Sequence, residues 1–243
     1  MQPMARFTAP EALPQGEEKV EAVRSMFDAI APRYDLVNRV MTLRMDVGWR
    51  RTAVRSLALD AGATVLDLAC GTGDLCRELA KQGLRPIGAD LSFGMLAAAR
   101  TDAPLFQGDG LRLPLPDACV DGVSCGFALR NFESLPPLFA ELARVVRPGG
   151  RIALLDASQP PNRFLRWGHG IYFGKVVPRI GARLGSSAAA YRYLPRSLAY
   201  MPTPEVLLQQ VADAGFVDVD RRLLSVGIAH LITASRPERP GAT

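Results

Sequence analysis

Residues 65–75 read Val-Leu-Asp-Leu-Ala-Cys-Gly-Thr-Gly-Asp-Leu, and that run narrows the choice of fold more than any other in the chain. A short apolar stretch reaches an acid at Asp67, breaks at Gly71 and Gly73, and gives way at once to a helical pattern. Strand, tight turn and helix start in that order make the nucleotide-binding corner of an open α/β sheet. Glycine in the turn lets the backbone reverse sharply and lets a ligand lie against the main chain. A second apolar run, Pro86-Ile87-Gly88-Ala89, ends in Asp90. That is the remove at which such folds place an acceptor for ribose hydroxyls.

The turn excludes two common ligands. No Gly-Lys-Ser/Thr follows it, so it is not a P-loop, and the third glycine of a dinucleotide turn is replaced by Cys76. Asp67 and Asp74 flank the turn, a setting that repels a pyrophosphate and welcomes a cation. S-adenosyl-L-methionine carries a sulfonium and an ammonium and no phosphate, and is the expected cofactor. Gly108-Asp109-Gly110 falls after a third short strand. Asp109 there is either an acceptor for the adenine amino group or a turn residue.

Periodicity orders the rest. Helices are expected at 18–31 and 36–58, separated by Ala31-Pro32-Arg33-Tyr34-Asp35. Strands at 64–69, 85–90, 104–107, 119–126 and 151–156 alternate with helices at 74–82, 93–101 and 134–146. Ser92 is placed to cap the second of these helices, and Arg147-Pro148-Gly149-Gly150 stops the third. A helix at 205–214 precedes two runs, 216–223 and 226–235, that read as a terminal hairpin. The pattern predicts one α/β domain over 18–235, with a mostly parallel, doubly wound, seven-stranded sheet and a C-terminal antiparallel hairpin. Residues 18–58 form a helical lid, and 1–17 and 236–243 are expected to be flexible tails.

The 243-residue chain is 48% hydrophobic and 22% charged, ordinary for a globular domain. No apolar stretch approaches the roughly 18 residues of a membrane span, and neither a signal peptide nor a transit helix is evident. Cys70, Cys76, Cys119 and Cys125 form no Cys-x-x-Cys pair, so reduced cysteines without a metal site are expected in a cytoplasmic protein. Of the net charge of +5, an insert at 157–204 holds Arg163, Arg166, Lys175, Arg179, Arg183, Arg192 and Arg196 and no acid. Phe164, Trp167, Tyr172 and Phe173 are interleaved with them. Such a basic, aromatic cap suits an anionic membrane surface better than nucleic acid, and a solvated cap face is the plainer alternative. His169 and His230 read as structural residues.

Several segments carry a family likeness: Met26-Phe27-Asp28-Ala29-Ile30-Ala31-Pro32-Arg33-Tyr34-Asp35-Leu36-Val37-Asn38, Trp49-Arg50-Arg51, Leu66 to Asp74, Phe127-Ala128-Leu129-Arg130-Asn131, and Tyr191-Arg192-Tyr193-Leu194-Pro195-Arg196-Ser197. Over about residues 20–235 the chain resembles the Rossmann-like class I methyltransferases, and more narrowly the menaquinone/ubiquinone biosynthesis C-methyltransferases. The resemblance implies cofactor contacts at Thr72, Asp90, Asp109 and Gly110, in a pocket shaped by Asp67, Gly71 and Gly73. It implies methylation of a ring carbon of a prenylated quinol, a demethylmenaquinol before a ubiquinone-pathway benzoquinol. A soluble small molecule is the other substrate class. The chain departs from the family at Gly126, at Ala128, at Asp156-Ala157-Ser158 and in the C-terminal run.

The catalytic set expected is Arg130, Asn131, Tyr34 and Asp35. Arg130 supplies a fixed cation for a developing phenolate. Asn131 helps hold a water that takes the proton, and Tyr34 and Asp35 close over the ring. No metal is required. Peripheral contact with the inner face of the membrane and a homodimer complete the expectations, with no nucleic-acid partner.

Overall fold

The apolar run that opens the glycine turn becomes the middle of a sheet. The computed structural model describes residues 15–172, 193 and 196–238. In chain order the helices are α1 (Gly16–Ile30), α2 (Tyr34–Met41), α3 (Met45–Ser56), α4 (Asp74–Lys81), α5 (Phe93–Ala97), α6 (Leu135–Val145), α7 (Arg163–Ile171) and α8 (Pro204–Asp213). The strands are β1 (Thr64–Leu68), β2 (Arg85–Asp90), β3 (Leu105–Gln107), β4 (Val120–Gly126), β5 (Val146–Ala157), β6 (Val217–Leu224) and β7 (Ala229–Ser235). They form a seven-stranded sheet in the order β3-β2-β1-β4-β5-β7-β6. The first five strands pair in parallel, and β7 runs antiparallel between β5 and β6.

Strand periodicity of two sorts the core into two layers. Leu66 and Leu68 of β1, with Ile152 and Leu154 of β5, pack against Leu138, Phe139 and Leu142 of α6 and Leu207 and Val211 of α8. Val65, Ala153 and Leu155 face the other way, against Ala53 and Val54 of α3 and Leu75 and Leu79 of α4. A third, smaller cluster joins Val23, Met26 and Ile30 of α1 to Met95 of α5 and to Tyr193. The strand order reverses between β1 and β4, so the crevice for a ligand opens at their carboxyl ends.

Three expected elements differ. The helix at 36–58 is two helices, broken at Thr42-Leu43-Arg44, where Leu43 and Arg44 take φ of 51° and 63°. The helix at 93–101 stops at Ala97. Ser92 does cap it, its Oγ accepting from the Met95 amide at 3.1 Å. The stop at Arg147-Pro148-Gly149-Gly150 ends α6, but the chain enters β5 at once, with a register shift against β4. Gly150 permits this, because a Cβ there would lie 2.6 Å from the Asp121 carbonyl. The basic residues Lys175, Arg179, Arg183 and Arg192, Phe173, and all but residues 15–17 and 236–238 of the two tails lie outside the described residues, as do the side chains of Trp167 and His169.

Asp67 is fully buried on β1. It accepts from Ser124 Oγ at 2.9 Å and from Cys76 Sγ at 3.3 Å, joining β1 to β4 and α4. Burial pushes its carboxyl up to about 7 from an ordinary value of 3.8. The folded state therefore holds this proton more tightly than the unfolded chain. The stability Asp67 contributes is full below about pH 4 and is lost as pH rises through about 7. In thermal unfolding, Asp67→Asn should remove that part of the pH dependence, so the variant gains on the parent between pH 5 and pH 8. Parallel Tm profiles for the two proteins would show that Asp67 is not the source.

Candidate active site

The glycine turn is built from left-handed residues at Ala69, Gly71 and Gly73, with φ of 53°, 55° and 82°. Gly73 caps α4, and a Cβ on it would meet Thr101 at 2.7 Å. The turn is tied to the end of β2 through Asp90. Asp90 Oδ2 accepts from the Gly71 amide and Oδ1 from the Ser92 amide, both at 2.8 Å. Burial raises the Asp90 pKa, and the two amides work against that rise. The Gly71 amide is thus already taken by a carboxylate, which bars a phosphate from the place where such turns usually bind one.

A first cavity of about 840 Å³, its mouth included, opens over this turn. Its floor holds Gly71, Asp90, Asp109 and Gly110, with Leu91, Met95, Leu111 and Phe132 as apolar walls. Val20, Val23 and Phe27 of α1 close it from above. Asp109 Oδ1 accepts from the Leu111 amide at 2.9 Å, so the turn role and a place on the cavity wall coexist. Glycine is required at 110, because a Cβ would lie 2.6 Å from the Phe132 ring. A slot with apolar walls and carboxylates at its edge fits an adenosine with a cationic tail.

The acids expected to face that cation do not line the cavity. Asp67 is fully buried, and burial pushes its carboxyl up to about 7. Asp74 is paired with Arg77, with Arg39 at 3.3 Å and with Arg50 at 3.5 Å. Neither lines the cavity; Asp90, Asp109 and Glu133 do. The carboxylates on the cavity wall are thus not the two that flank the turn in sequence. Thr72 and Gly73 also lie off the cavity wall, and Thr72 Oγ1 donates instead to Asp35.

A second cavity of about 1,920 Å³, mouth included, lies beside the first. Met45, Trp49, Phe164 and Ile228 give it an apolar lining. Arg130 lies on its wall, 7% exposed, with Nε donating to Ser197 Oγ at 3.0 Å and Nη1 paired to Asp156. Tyr34 lines both cavities, and burial pushes its phenol up to about 12. Asn131 lines the first and accepts from Tyr193 Oη at 3.3 Å. Of the four expected catalytic residues, Tyr34 lines both cavities, Asn131 the first and Arg130 the second. Asp35 points to Thr72 and lines neither cavity.

Sequence reasoning passed over three residues. Asp28 pins α1 to the start of α5, accepting from Ser92 Oγ at 2.6 Å and the Gly94 amide at 2.8 Å. Asp156, noted as a departure, is the partner of Arg130. Phe127 lines both cavities with a left-handed backbone, φ 63°, a strain of about 1–3 kcal/mol. The signal for Asp156 was present: an acid at the end of the strand adjoining the Arg130 loop. Asp28 and Ser92 are too far apart in sequence for any local pattern to join them. His230 is buried on β7, its Nδ1 accepting from Arg221 Nε at 2.9 Å, and burial lowers its pKa to about 4. The cysteines are free, and no metal-holding cluster exists among the described residues.

A family model described as the ubiE/COQ5 methyltransferase family matches residues 15–236. The demethylmenaquinone methyltransferase of Deinococcus radiodurans is 42% identical over 234 residues, across 92% of this chain and 97% of that protein. Its namesake in Thermus thermophilus is 41% identical, across 87% of this chain and all of that protein. Among solved structures, a SAM-dependent methyltransferase of Thermotoga maritima superposes with a TM-score of 0.63 at 17% identity, over 88% of this chain and 99% of that one. Haemonchus contortus phosphoethanolamine N-methyltransferase 2, solved with S-adenosyl-L-methionine, gives 0.56 at 14% identity, over 78% of this chain and 52% of that one. These two structures share the fold. By the extent of the family match and the similarity of its relatives, the chain belongs to the ubiE/COQ5 methyltransferase family.

Proposed function

We propose that the protein methylates a ring carbon of a prenylated quinol, a demethylmenaquinol, with S-adenosyl-L-methionine as donor. The observation that carries this reading is the meeting of the two cavities. One is an adenosine-sized slot with carboxylates; the other is apolar with a buried guanidinium on its wall. Relatives named demethylmenaquinone methyltransferase support the naphthoquinol over the benzoquinol.

Asp90 would hold the ribose hydroxyls, and Leu91, Met95, Leu111 and Phe132 the adenine. Bound there, the donor supplies a methyl group whose carbon–sulfur bond breaks with the pair staying on sulfur, while the ring carbon gives the pair for the new carbon–carbon bond. That ring carbon then loses its proton to water. The ring is a weak nucleophile until its hydroxyl ionises, and a free phenol does so near pH 10. Arg130 lowers that cost as a fixed cation in a dry site. Asp156 and Ser197 hold it, so no reorganisation is needed as charge develops. Arginine stays charged and is no base. Tyr34, with its phenol pushed up to about 12, remains protonated at neutral pH and donates a hydrogen bond.

The prenyl tail calls for a bilayer. Leu43, Phe164 and Val226 are 72%, 76% and 66% exposed and line the second cavity at its mouth. Arg44 and Arg163 lie beside Leu43 and Phe164 in the chain. This apolar rim with basic neighbours suits an anionic lipid surface. No helix among the described residues is long and apolar enough to cross a membrane.

Purified protein given the donor and demethylmenaquinol should yield a product heavier by one CH₂, with less product from the benzoquinol. Arg130→Lys keeps a charge opposite Asp156 but loses the planar fork, and turnover should fall about 100-fold while donor affinity stays unchanged. Undiminished turnover in that variant would remove Arg130 from the chemistry. Flotation with phosphatidylglycerol vesicles at low salt should carry the protein upward, and salt or the Leu43→Asp, Phe164→Asp pair should abolish it. Failure to float at low salt would refute the lipid contact.

A further inference from the structure

Phe127 stands where the two cavities touch, a place that among the described residues only Tyr34 shares. The two rings are held differently. Tyr34 opens α2, within the helices that cover the site. Phe127 follows β4 directly, and its amide donates to the Leu155 carbonyl of β5 at 2.7 Å. Its ring lies 6.1 Å from that of Trp49, tilted by 53°, with the Arg50 guanidinium 5.5 Å from the ring centre. Arg50 is itself fixed by ion pairs to Asp46 and Asp74. The loop has little freedom to move. A Cβ on Gly126 would meet Leu75 at 2.8 Å, and Ala128 is buried.

A side chain with a left-handed backbone, fixed from three sides, is a place where the fold tolerates strain to aim a group. Glycine would relieve the backbone but remove the ring. The ring makes no hydrogen bond, so it contributes shape and exclusion of water. We infer that Phe127 is the fixed partition between the donor and acceptor cavities and a specificity-determining residue: its ring limits the size of the group that the donor can carry on sulfur. This rests on the donor-site reading proposed above. Phe127 also lines the acceptor cavity, so the same residue bears on how far the acceptor can advance.

The test is binding, by calorimetry, of S-adenosyl-L-methionine and of its analogue with allyl in place of methyl on sulfur. Wild type, Phe127→Ala and Phe127→Leu are compared, with Tm recorded for each. Wild type should bind the allyl analogue at least tenfold more weakly than the methyl donor, since allyl adds two carbons and one extra methylene alone is worth about 10–200-fold. Phe127→Ala should bind the methyl donor within about threefold of wild type and narrow the allyl-to-methyl ratio by about tenfold. Phe127→Leu should fall between, and it carries the comparison if the alanine variant does not fold. An unchanged ratio in variants that still bind the methyl donor overturns the partition and leaves the donor site standing. Absence of methyl-donor binding in wild type overturns the functional reading itself, and this inference with it.

Discussion

One carboxylate joins the parts that make the site. Asp90 takes the amide of the glycine turn on one oxygen and the amide that starts α5 on the other. Ser92, next in line, is held by Asp28 of α1. Turn, second strand, short helix and covering helix therefore share one chain of hydrogen bonds. Each amide satisfied in this way is one that a phosphate cannot use. The carboxylate oxygens keep lone pairs that a hydroxyl group can use and that repel a pyrophosphate. Buried networks of this kind are costly when incomplete, and this one is closed.

The second cavity depends on a different kind of support. Its buried guanidinium, Arg130, lies beside an acid from the adjoining strand and a serine from the segment before α8. A lone buried guanidinium would be strongly unfavourable, whereas a paired one is a preset charge. The two cavities thus divide the work between a hydrogen-bonding slot and an apolar chamber. Among the described residues, contact between them is confined to Tyr34 and Phe127.

How much of this was legible in the sequence varies with distance along the chain. The strand–turn–helix at 64–81, the acid at Asp90, the Ser92 cap and the terminal hairpin are local patterns, and they stand within a few residues of where periodicity puts them. The break at Thr42-Leu43-Arg44 was not legible, because no glycine or proline marks it and two non-glycine residues take left-handed backbone instead. The flanking acids misled in detail. Charge near a turn in sequence does not reveal which side chains are buried under it or paired to arginines on α2, α3 and α4. Asp35 likewise reads as a neighbour of Tyr34, yet helical geometry turns successive residues to different faces, and it meets Thr72 instead.

The placement of β7 bears on how the chain assembles. It is the last strand in sequence but lies inside the sheet, between β5 and β6. Until it arrives, β5 has one side unpaired and β6 has no partner in the sheet. The β5–β7 pairing joins residues some eighty positions apart, such as Ile152 with Ala234, and long-range pairings of this sort form slowly. During synthesis the corner around the glycine turn can fold first, while the open edge of β5 stays a sticky surface awaiting its mate. A nascent chain of this design therefore gains that corner early and its protection from aggregation late.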